Sequence, residues 1–159
     1  GGNHRSDQTG FAAMIEDKTL NRDDFPWQLM LATRWADNDQ YGHVNNVTYY
    51  SYFDTAVNRH LIEVAGQNPH GDGPIGVVVE TGCRFLRPIS FPDMIEVGIR
   101  IKKFGTSSVT YHLGVFVQGQ DQPAAVGHFV HVYVDRKTFR SVPIPPDLRA
   151  TLGALHVGS

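Results

Sequence analysis

One segment of the chain, residues 47–65, has the period of a long α-helix, and it is the only segment that keeps this period over such a length. Its apolar residues recur every three or four positions, and Gly66 follows as a helix stop. Asn45 and Asn46 precede it and are residue types that cap helices. The segment is apolar around more than half of its circumference, so we expect a central helix with other structure around it.

The rest of the chain has the period of β-strands. A strand-forming run precedes the helix and four follow it, and in these runs apolar and polar residues alternate as in half-buried antiparallel strands. The connections are too short for parallel crossovers. The predicted strands span residues 27–35, 74–87, 94–104, 107–118 and 124–134, with a further short strand near 139–143 and a small helix at 146–152.

An amphipathic sheet of this size needs a helix to cover its apolar face, and only one predicted helix is long enough. The sequence therefore predicts an α+β fold, a five- or six-stranded antiparallel sheet wrapped around one long central helix. We expect a single domain over residues 26–159, after a loose leader at 1–25. The chain opens Gly1-Gly2 without an initiator methionine, which is consistent with residues left over from an expression vector.

Composition excludes several classes of function. The 14 Lys and Arg residues are outnumbered by 16 Asp and Glu residues, so there is no excess positive charge to bind nucleic acid. No apolar run is long enough to span a membrane, and no secretion signal is recognisable. The single cysteine, Cys83, cannot form an internal disulfide. We therefore expect a cytoplasmic protein that contacts neither nucleic acid nor membrane.

The densest polar cluster, residues 37–46, lies between a predicted core strand and the start of the long helix. A helix start presents unbonded N–H groups that can stabilise an oxyanion, and a nearby carboxylate can act as base or nucleophile toward a carbonyl held there. The same residues are also common in ordinary loops and caps, so both interpretations stay open on this ground alone. The spacing does not match an EF-hand, and we expect no metal.

The residues of this loop and of the strands after it resemble a known family. The order of strand, D-x-D-x-x-G-H-V-N-N loop and helix is similar to that of the 4-hydroxybenzoyl-CoA thioesterase-like branch of the hotdog-fold acyl-CoA thioesterases. The similarity continues in Cys83-Arg84-Phe85-Leu86-Arg87-Pro88, in Asp93-Met94-Ile95-Glu96-Val97, in the turn at 105–108 and in Pro143-Ile144-Pro145. It covers about residues 27–152.

The resemblance implies an acyl-CoA thioesterase without a cofactor, paired into a homodimer that can pair again into a tetramer, with acyl-CoA bound between subunits. It puts the catalytic carboxylate, as nucleophile or general base, on Asp39. It puts the N–H that polarises the thioester carbonyl on Asn46 or Val47. An acyl-carrier-protein thioester is a possible alternative substrate.

The resemblance also implies residues that contact or position substrate. His43 and Asn45 lie in the loop, Tyr49 and Asp54 lie on the helix, and Lys102 and Lys103 are expected to bind the phosphates of CoA. Two other functions remain as alternatives: a non-catalytic acyl-CoA-binding module on the same fold, and a hotdog hydratase or dehydratase, which would use a histidine with an acidic partner.

Overall fold

The computed structural model of the protein describes residues 16–157. In chain order the elements are β1 (Trp27–Ala32), α1 (Thr48–Glu63), β2 (Ile75–Phe85), β3 (Met94–Phe104), β4 (Ser108–Val117), β5 (Ala125–Val134) and α2 (Pro146–Leu152), with single 3₁₀ turns at Arg22–Asp24, Trp35–Asp37 and Gly153–Leu155. Within these residues no helix is both long enough and apolar enough to cross a bilayer.

The strands form one antiparallel sheet in the order β1-β3-β4-β5-β2. The predicted sixth strand near 139–143 is absent from the described chain, where Ser141 makes only an isolated bridge to Val134. The reason is a tight turn: the Asp135 carboxylate accepts from the N–H groups of Lys137 and Thr138, and Phe139 has a φ of 58°. The sheet therefore has five strands, which agrees with the lower predicted number.

The helix α1 lies on the concave face of the sheet, where it covers a row of fully buried strand residues such as Ile99 and Leu113. The closest approach is at Phe53, whose ring lies over Gly127; a Cβ at Gly127 would come within 2.4 Å of that ring. A glycine at this position of β5 therefore lets the helix approach the sheet, and Phe53 is completely buried as a result.

The opposite face of α1 is open in the described chain. Its Asp54, Asn58 and Ile62 side chains are exposed. The sequence predicts a helix surrounded by other structure, whereas the sheet covers only one side of it. The outer edge of β2, beside this open face, is also unpaired among residues 16–157.

The convex face of the sheet is covered in part by residues from the predicted leader. Phe25 is 2% exposed, and its ring lies where side chains at Gly98 and Gly114 would otherwise project. Arg22 bonds to Glu96 at 3.0 Å. Residues 16–25 thus pack on the sheet, so the prediction of a loose segment is wrong for them; residues 1–15 lie outside the described part. The sequence shows no period here because a single aromatic side chain anchors the segment.

We predict that Phe25→Ala lowers the free energy of unfolding by about 3 kcal/mol, the usual cost of removing a buried aromatic ring. The strands below it carry glycines and cannot close the gap with side chains of their own. Denaturant titration measures the change. Met30→Ala, at an exposed position of β1, is the control and should change stability by less than about 0.5 kcal/mol. Equal effects of the two substitutions would contradict this account.

Candidate active site

A buried carboxylate organises the loop that joins β1 to α1. Asp37 is 2% exposed, and it accepts hydrogen bonds from the Arg34 backbone N–H at 2.8 Å, the Arg34 guanidinium at 2.9 Å and the Tyr52 hydroxyl at 2.9 Å. Its own carbonyl accepts from the N–H of Asn45. Because Tyr52 belongs to α1 and Arg34 follows β1, this carboxylate ties the loop to both the helix and the sheet.

The pKa values of this cluster reflect its burial. Burial alone would raise the pKa of Asp37, but the hydrogen bonds from Arg34 and Tyr52 and the Arg34 charge outweigh it and hold the pKa below its usual value. The pKa of the Tyr52 hydroxyl is raised, first by burial and then by the adjacent carboxylate. Asp37 is therefore ionised and Tyr52 protonated at neutral pH. A carboxylate fully engaged in this way is unsuited to act as a base.

Asp39, two residues further on, has the opposite surroundings. Its Oδ1 accepts from the N–H groups of Tyr41 at 2.8 Å and His43 at 3.3 Å, and its own N–H donates to the His43 carbonyl at 2.7 Å. Gly42, with a φ of 82°, supplies the left-handed conformation that this turn needs. Among residues 16–157 no donor reaches the second oxygen, Oδ2. The loop thus orients Asp39 and leaves one oxygen free.

The turn just before α1 presents one N–H group without an acceptor among the described residues. The Asn45 Oδ1 accepts from the Val47 N–H at 3.2 Å, and the Asn45 carbonyl accepts from the Thr48 N–H at 2.8 Å. These bonds shape the turn before the helix; the N-cap residue is Val47, which makes no side-chain capping bond, so neither asparagine is the N-cap. In the described chain, the Asn46 N–H has no acceptor. Of the two predicted carbonyl-polarising groups, that of Asn46 is free and that of Val47 is already bonded.

Asp39 and Asn46 line the same open groove, which has a volume of about 290 Å³. Its apolar wall is formed by Tyr49, which is buried, and by Phe85 at the end of β2, whose ring meets the Tyr49 ring edge-on at 5.0 Å between centroids. Burial raises the pKa of the Tyr49 hydroxyl to about 12. The remaining wall consists of His43, Val44, Leu86, Arg87 and Pro88.

The structure separates the predicted lysines from this groove. Lys102 and Lys103 lie at the end of β3, whose first residue, Met94, pairs with the last residue of β1 just before the site loop. With about 3.3 Å per residue, they lie roughly 26 Å from that end of the strand. The basic side chain at the groove is Arg87, which bonds to Gln120 and Gln122 and to no carboxylate among the described residues.

Asp54 also lies outside the groove. It is exposed on α1, where its side chain accepts from the Asn58 amide at 3.0 Å. His43 lines the groove and is exposed. Thus, of the predicted site residues, the protomer brings together Asp39, His43, Asn46 and Tyr49. Asn45 bonds within the turn before α1, and Asp54 and both lysines lie elsewhere.

Two parts of the site are not predicted from the sequence: the anchoring role of Asp37 and the groove wall at 85–88. Asp37 was grouped with Asp39 as part of one polar cluster, and nothing in the spacing distinguishes a buried anchoring carboxylate from a free one. The groove wall at 85–88 follows from the pairing of β2 with β5, a long-range contact. The signal that could have indicated it is the run Phe85-Leu86-Arg87-Pro88, which places two apolar residues and a cation at the end of a strand. In residues 16–157 no three His, Cys, Asp or Glu side chains cluster closely enough to hold a metal ion.

A family model described as the thioesterase-like superfamily matches residues 33–152, which is most of the chain and includes the whole site. The chain belongs to this superfamily. The five-stranded sheet with α1 on its concave face is accordingly a hotdog fold. The resemblance in the loop and strand motifs is confirmed.

Two solved structures and a curated relative are similar to this chain over most of its length, and one of them is named a thioesterase. The PA5185 protein of Pseudomonas aeruginosa PAO1 is 48% identical, with a TM-score of 0.83 over 86% of this chain and 95% of that one. A Thermus thermophilus thioesterase complexed with coenzyme A and Zn is 31% identical, with a TM-score of 0.70 over 84% and 96% of the two chains. The uncharacterized protein YsmA of Bacillus subtilis is 26% identical over 77% of this chain and 82% of its own.

We predict that Asp37→Asn lowers the free energy of unfolding of this hotdog domain by about 2 kcal/mol at neutral pH, since hydrogen bonds to an ionised group are lost. Folding lowers the pKa of Asp37, so the ionised carboxylate stabilises the folded state. This stabilisation is fully present above the unfolded-state pKa near 3.9 and is lost as the pH falls through the pKa of Asp37 in the folded protein. Denaturant titrations from neutral to acid pH should therefore show the difference between wild type and variant shrinking below about pH 4. A difference that is constant with pH would contradict an ionised anchor.

Proposed function

We propose that the protein hydrolyses the thioester of an acyl-CoA in the groove at the start of α1, with Asp39 as the catalytic carboxylate and the Asn46 N–H as the donor to the carbonyl oxygen. One observation carries the proposal: Asp39, which has a carboxylate oxygen without a donor, and Asn46, whose backbone N–H has no acceptor among the described residues, line the same groove. Such a pair has the two groups that acyl transfer requires, since one activates the attacking group and the other stabilises the oxyanion.

The reaction needs no group beyond these residues and water. As a general base, Asp39 takes a proton from water, and the resulting hydroxide attacks the carbonyl carbon. The tetrahedral oxyanion accepts a hydrogen bond from the Asn46 N–H and then expels the CoA thiolate, which takes up the proton that Asp39 received. As a nucleophile, Asp39 instead forms a mixed anhydride that water hydrolyses. Both routes use the free oxygen of Asp39 and give a free acid and a thiol.

CoA is the carrier best supported. The Thermus thermophilus relative was solved with coenzyme A, and in this chain Arg87 provides a cation at the groove that no described carboxylate neutralises. An arginine can bind a phosphate through two parallel hydrogen bonds. An acyl-carrier-protein thioester would present the same thioester group to Asp39 and Asn46. If the protein hydrolysed only that substrate, the proposed carrier would be wrong and the proposed chemistry would stand.

We further propose that two copies pair through the outer edge of β2. This strand is one of the two longest in the sheet, its outer main-chain groups are unpaired among residues 16–157, and Val78 and Val79 are exposed near its middle. An exposed apolar edge is a template for pairing with another strand. A two-fold axis would align β2 antiparallel with its own copy and cover the open face of α1 beside it.

Pairing by a two-fold axis would reverse the ends of β2. Phe85, at the groove, would then lie beside the opposite end of the second copy's β2, near Ile75. The second copy's Lys102 and Lys103 would lie four strand spacings away, roughly 19 Å. This is within the reach of an extended CoA, so the dimer can supply the lysines that one chain cannot bring to its own groove.

We predict that Asp39→Asn lowers kcat for acyl-CoA hydrolysis by about 10² to 10⁴, the usual contribution of a positioned base, while the free energy of unfolding changes little. Thiol release from short-chain, long-chain and aromatic acyl-CoAs measures the effect. Asp147→Asn, at an exposed position in α2, is the matched control and should keep wild-type turnover. Full activity of Asp39→Asn would exclude this carboxylate from the mechanism. If the wild-type protein binds acyl-CoA but does not hydrolyse it, the binding-module alternative is favoured.

We predict that Val79→Lys converts the protein into monomers, because it puts a charge at the exposed edge of β2. Sedimentation velocity measures the change. The control is Met30→Lys, which puts the same charge on the exposed surface of β1, the opposite edge strand, and should leave the dimer intact. A wild-type protein that sediments as a monomer, or a Val79→Lys variant that remains dimeric, would contradict pairing through β2.

A further inference from the structure

The turn that carries Asp39, residues 39–43, lies between two open spaces. On one side is the groove, and on the other is a surface depression of about 480 Å³. Asp39 lines both spaces, and the rest of the depression is lined by Trp35, Ala36, Asn38, Gln40 and Gly42. Because there is open space on both sides of the turn, packing does not fix its position between them.

The hydrogen bonds that Asp39 itself makes lie within this turn. Its Oδ1 accepts from the N–H groups of Tyr41 and His43, and its N–H donates to the His43 carbonyl. These bonds give the turn its shape, but all of them would be kept if the turn moved as a unit. The position of the carboxylate relative to the Asn46 N–H is therefore set by bonds that leave the turn.

Two residues at the base of the turn make such bonds. Asn38 and Val44 face each other as an isolated antiparallel pair. The Asn38 Oδ1 accepts from the Phe91 backbone N–H at 3.0 Å, and the Val44 N–H donates to the Ile89 carbonyl at 2.6 Å. Within residues 16–157, the Asn38 bond is the only side-chain hydrogen bond that joins residues 38–44 to another part of the chain.

The segment that receives these bonds, residues 89–93, is firmly held. Ile89 is completely buried. The Asp93 carboxylate accepts from the Ser90 N–H at 3.2 Å, and the Asp93 carbonyl accepts from the Thr33 hydroxyl at 2.6 Å. Thr33 is 5% exposed and directly follows β1. The segment is thus bound to the end of β1 and gives the Asp39 turn a fixed support.

We propose that Asn38 is a positioning residue for Asp39: its bond to the Phe91 N–H holds the turn on the groove side, at the distance from Asn46 that the reaction requires. The inference rests on the proposed thioesterase function. Asn38 lines the depression and not the groove, so it acts on the reaction only through Asp39. A misplacement of about 1 Å can lower a rate by about 10², so a single bond that prevents it has a large effect on turnover.

The test measures kcat and KM of Asn38→Ala, which removes the bond. kcat should fall about 10- to 100-fold while KM stays within about threefold, because the groups that line the groove are unchanged. Asn38→Asp keeps an oxygen that can accept from the Phe91 N–H. It should restore kcat to within about threefold of wild type at pH 8, far above the range in which carboxylates take up protons. Wild-type kcat in Asn38→Ala, or equal losses in the two variants, would overturn the proposal.

Gln40→Ala is the matched control. Gln40 is exposed and lines the same depression, and its side chain makes no hydrogen bond among the described residues. The variant should keep wild-type kcat and KM, which separates the loss of the Asn38 bond from a general effect of truncating a polar side chain in this loop. A loss of kcat as large as in Asn38→Ala would contradict a specific role of Asn38.

A double substitution shows whether Asn38 acts through Asp39. In the Asp39→Asn background, Asn38→Ala should lower the residual kcat by less than about twofold, because no carboxylate is left to misplace. If the two losses multiply instead, Asn38 acts independently of Asp39 and the proposal fails.

Crystal structures of the variants keep this proposal separate from the hydrolytic function. In Asn38→Ala the Asp39 carboxylate should lie about 1 Å or more closer to the depression and farther from the Asn46 nitrogen, whereas Gln40→Ala should superimpose on wild type. If no acyl-CoA is turned over but this shift occurs, the thioesterase proposal fails and the positioning of Asp39 by Asn38 stands. If acyl-CoAs are turned over and the carboxylate stays in place, the positioning proposal fails and the thioesterase stands.

Discussion

The position of α1 on the concave face of the sheet is the constraint on which the rest of the molecule depends. Phe53 reaches the floor of the sheet only because Gly127 leaves room for its ring, and this contact fixes how deeply the helix lies. The Asp37 carboxylate then bonds to Tyr52 on the same helix and to Arg34 in the loop. The helix start, and with it the free Asn46 N–H, is thereby held against the loop that carries Asp39. The proposed catalytic pair needs this rigidity, because its geometry must survive the arrival of substrate.

The two aspartates of the D-x-D motif have different surroundings in the loop. Asp37 is buried and uses its oxygens to hold the loop, whereas Asp39 uses one oxygen to shape its own turn and leaves the other free. Burial without full compensation raises the pKa of a carboxylate, but the donors around Asp37 are strong enough to reverse that effect. Because Asp37 anchors the loop, Asp39 can stay accessible in the groove, as its proposed catalytic role requires.

The sequence predicts the elements well because each has a clear local period. The helix, β3 and α2 occur at or within two residues of the expected bounds. Local patterns could not distinguish Asp37 from Asp39, since only three-dimensional packing decides which carboxylate is covered by Tyr52. Local patterns also could not show that Arg87, and not Lys102, lies at the groove, because the position of each residue depends on the order of the strands in the sheet. Phe25 was missed for a related reason: one aromatic side chain in a polar segment has no period, although two paired glycines of β3 and β4, far from it along the chain, form its binding surface.

Asp39 and the Asn46 N–H are proposed to act on the same carbonyl. The most direct test is a crystal structure of Asp39→Asn bound to an acyl-CoA analogue in which a methylene replaces the thioester sulfur and the carbonyl is retained. The account predicts the carbonyl oxygen about 2.7 to 3.1 Å from the Asn46 nitrogen, with the residue 39 side chain facing the carbonyl carbon directly or through one water. An analogue whose carbonyl lies away from the start of α1 would contradict it.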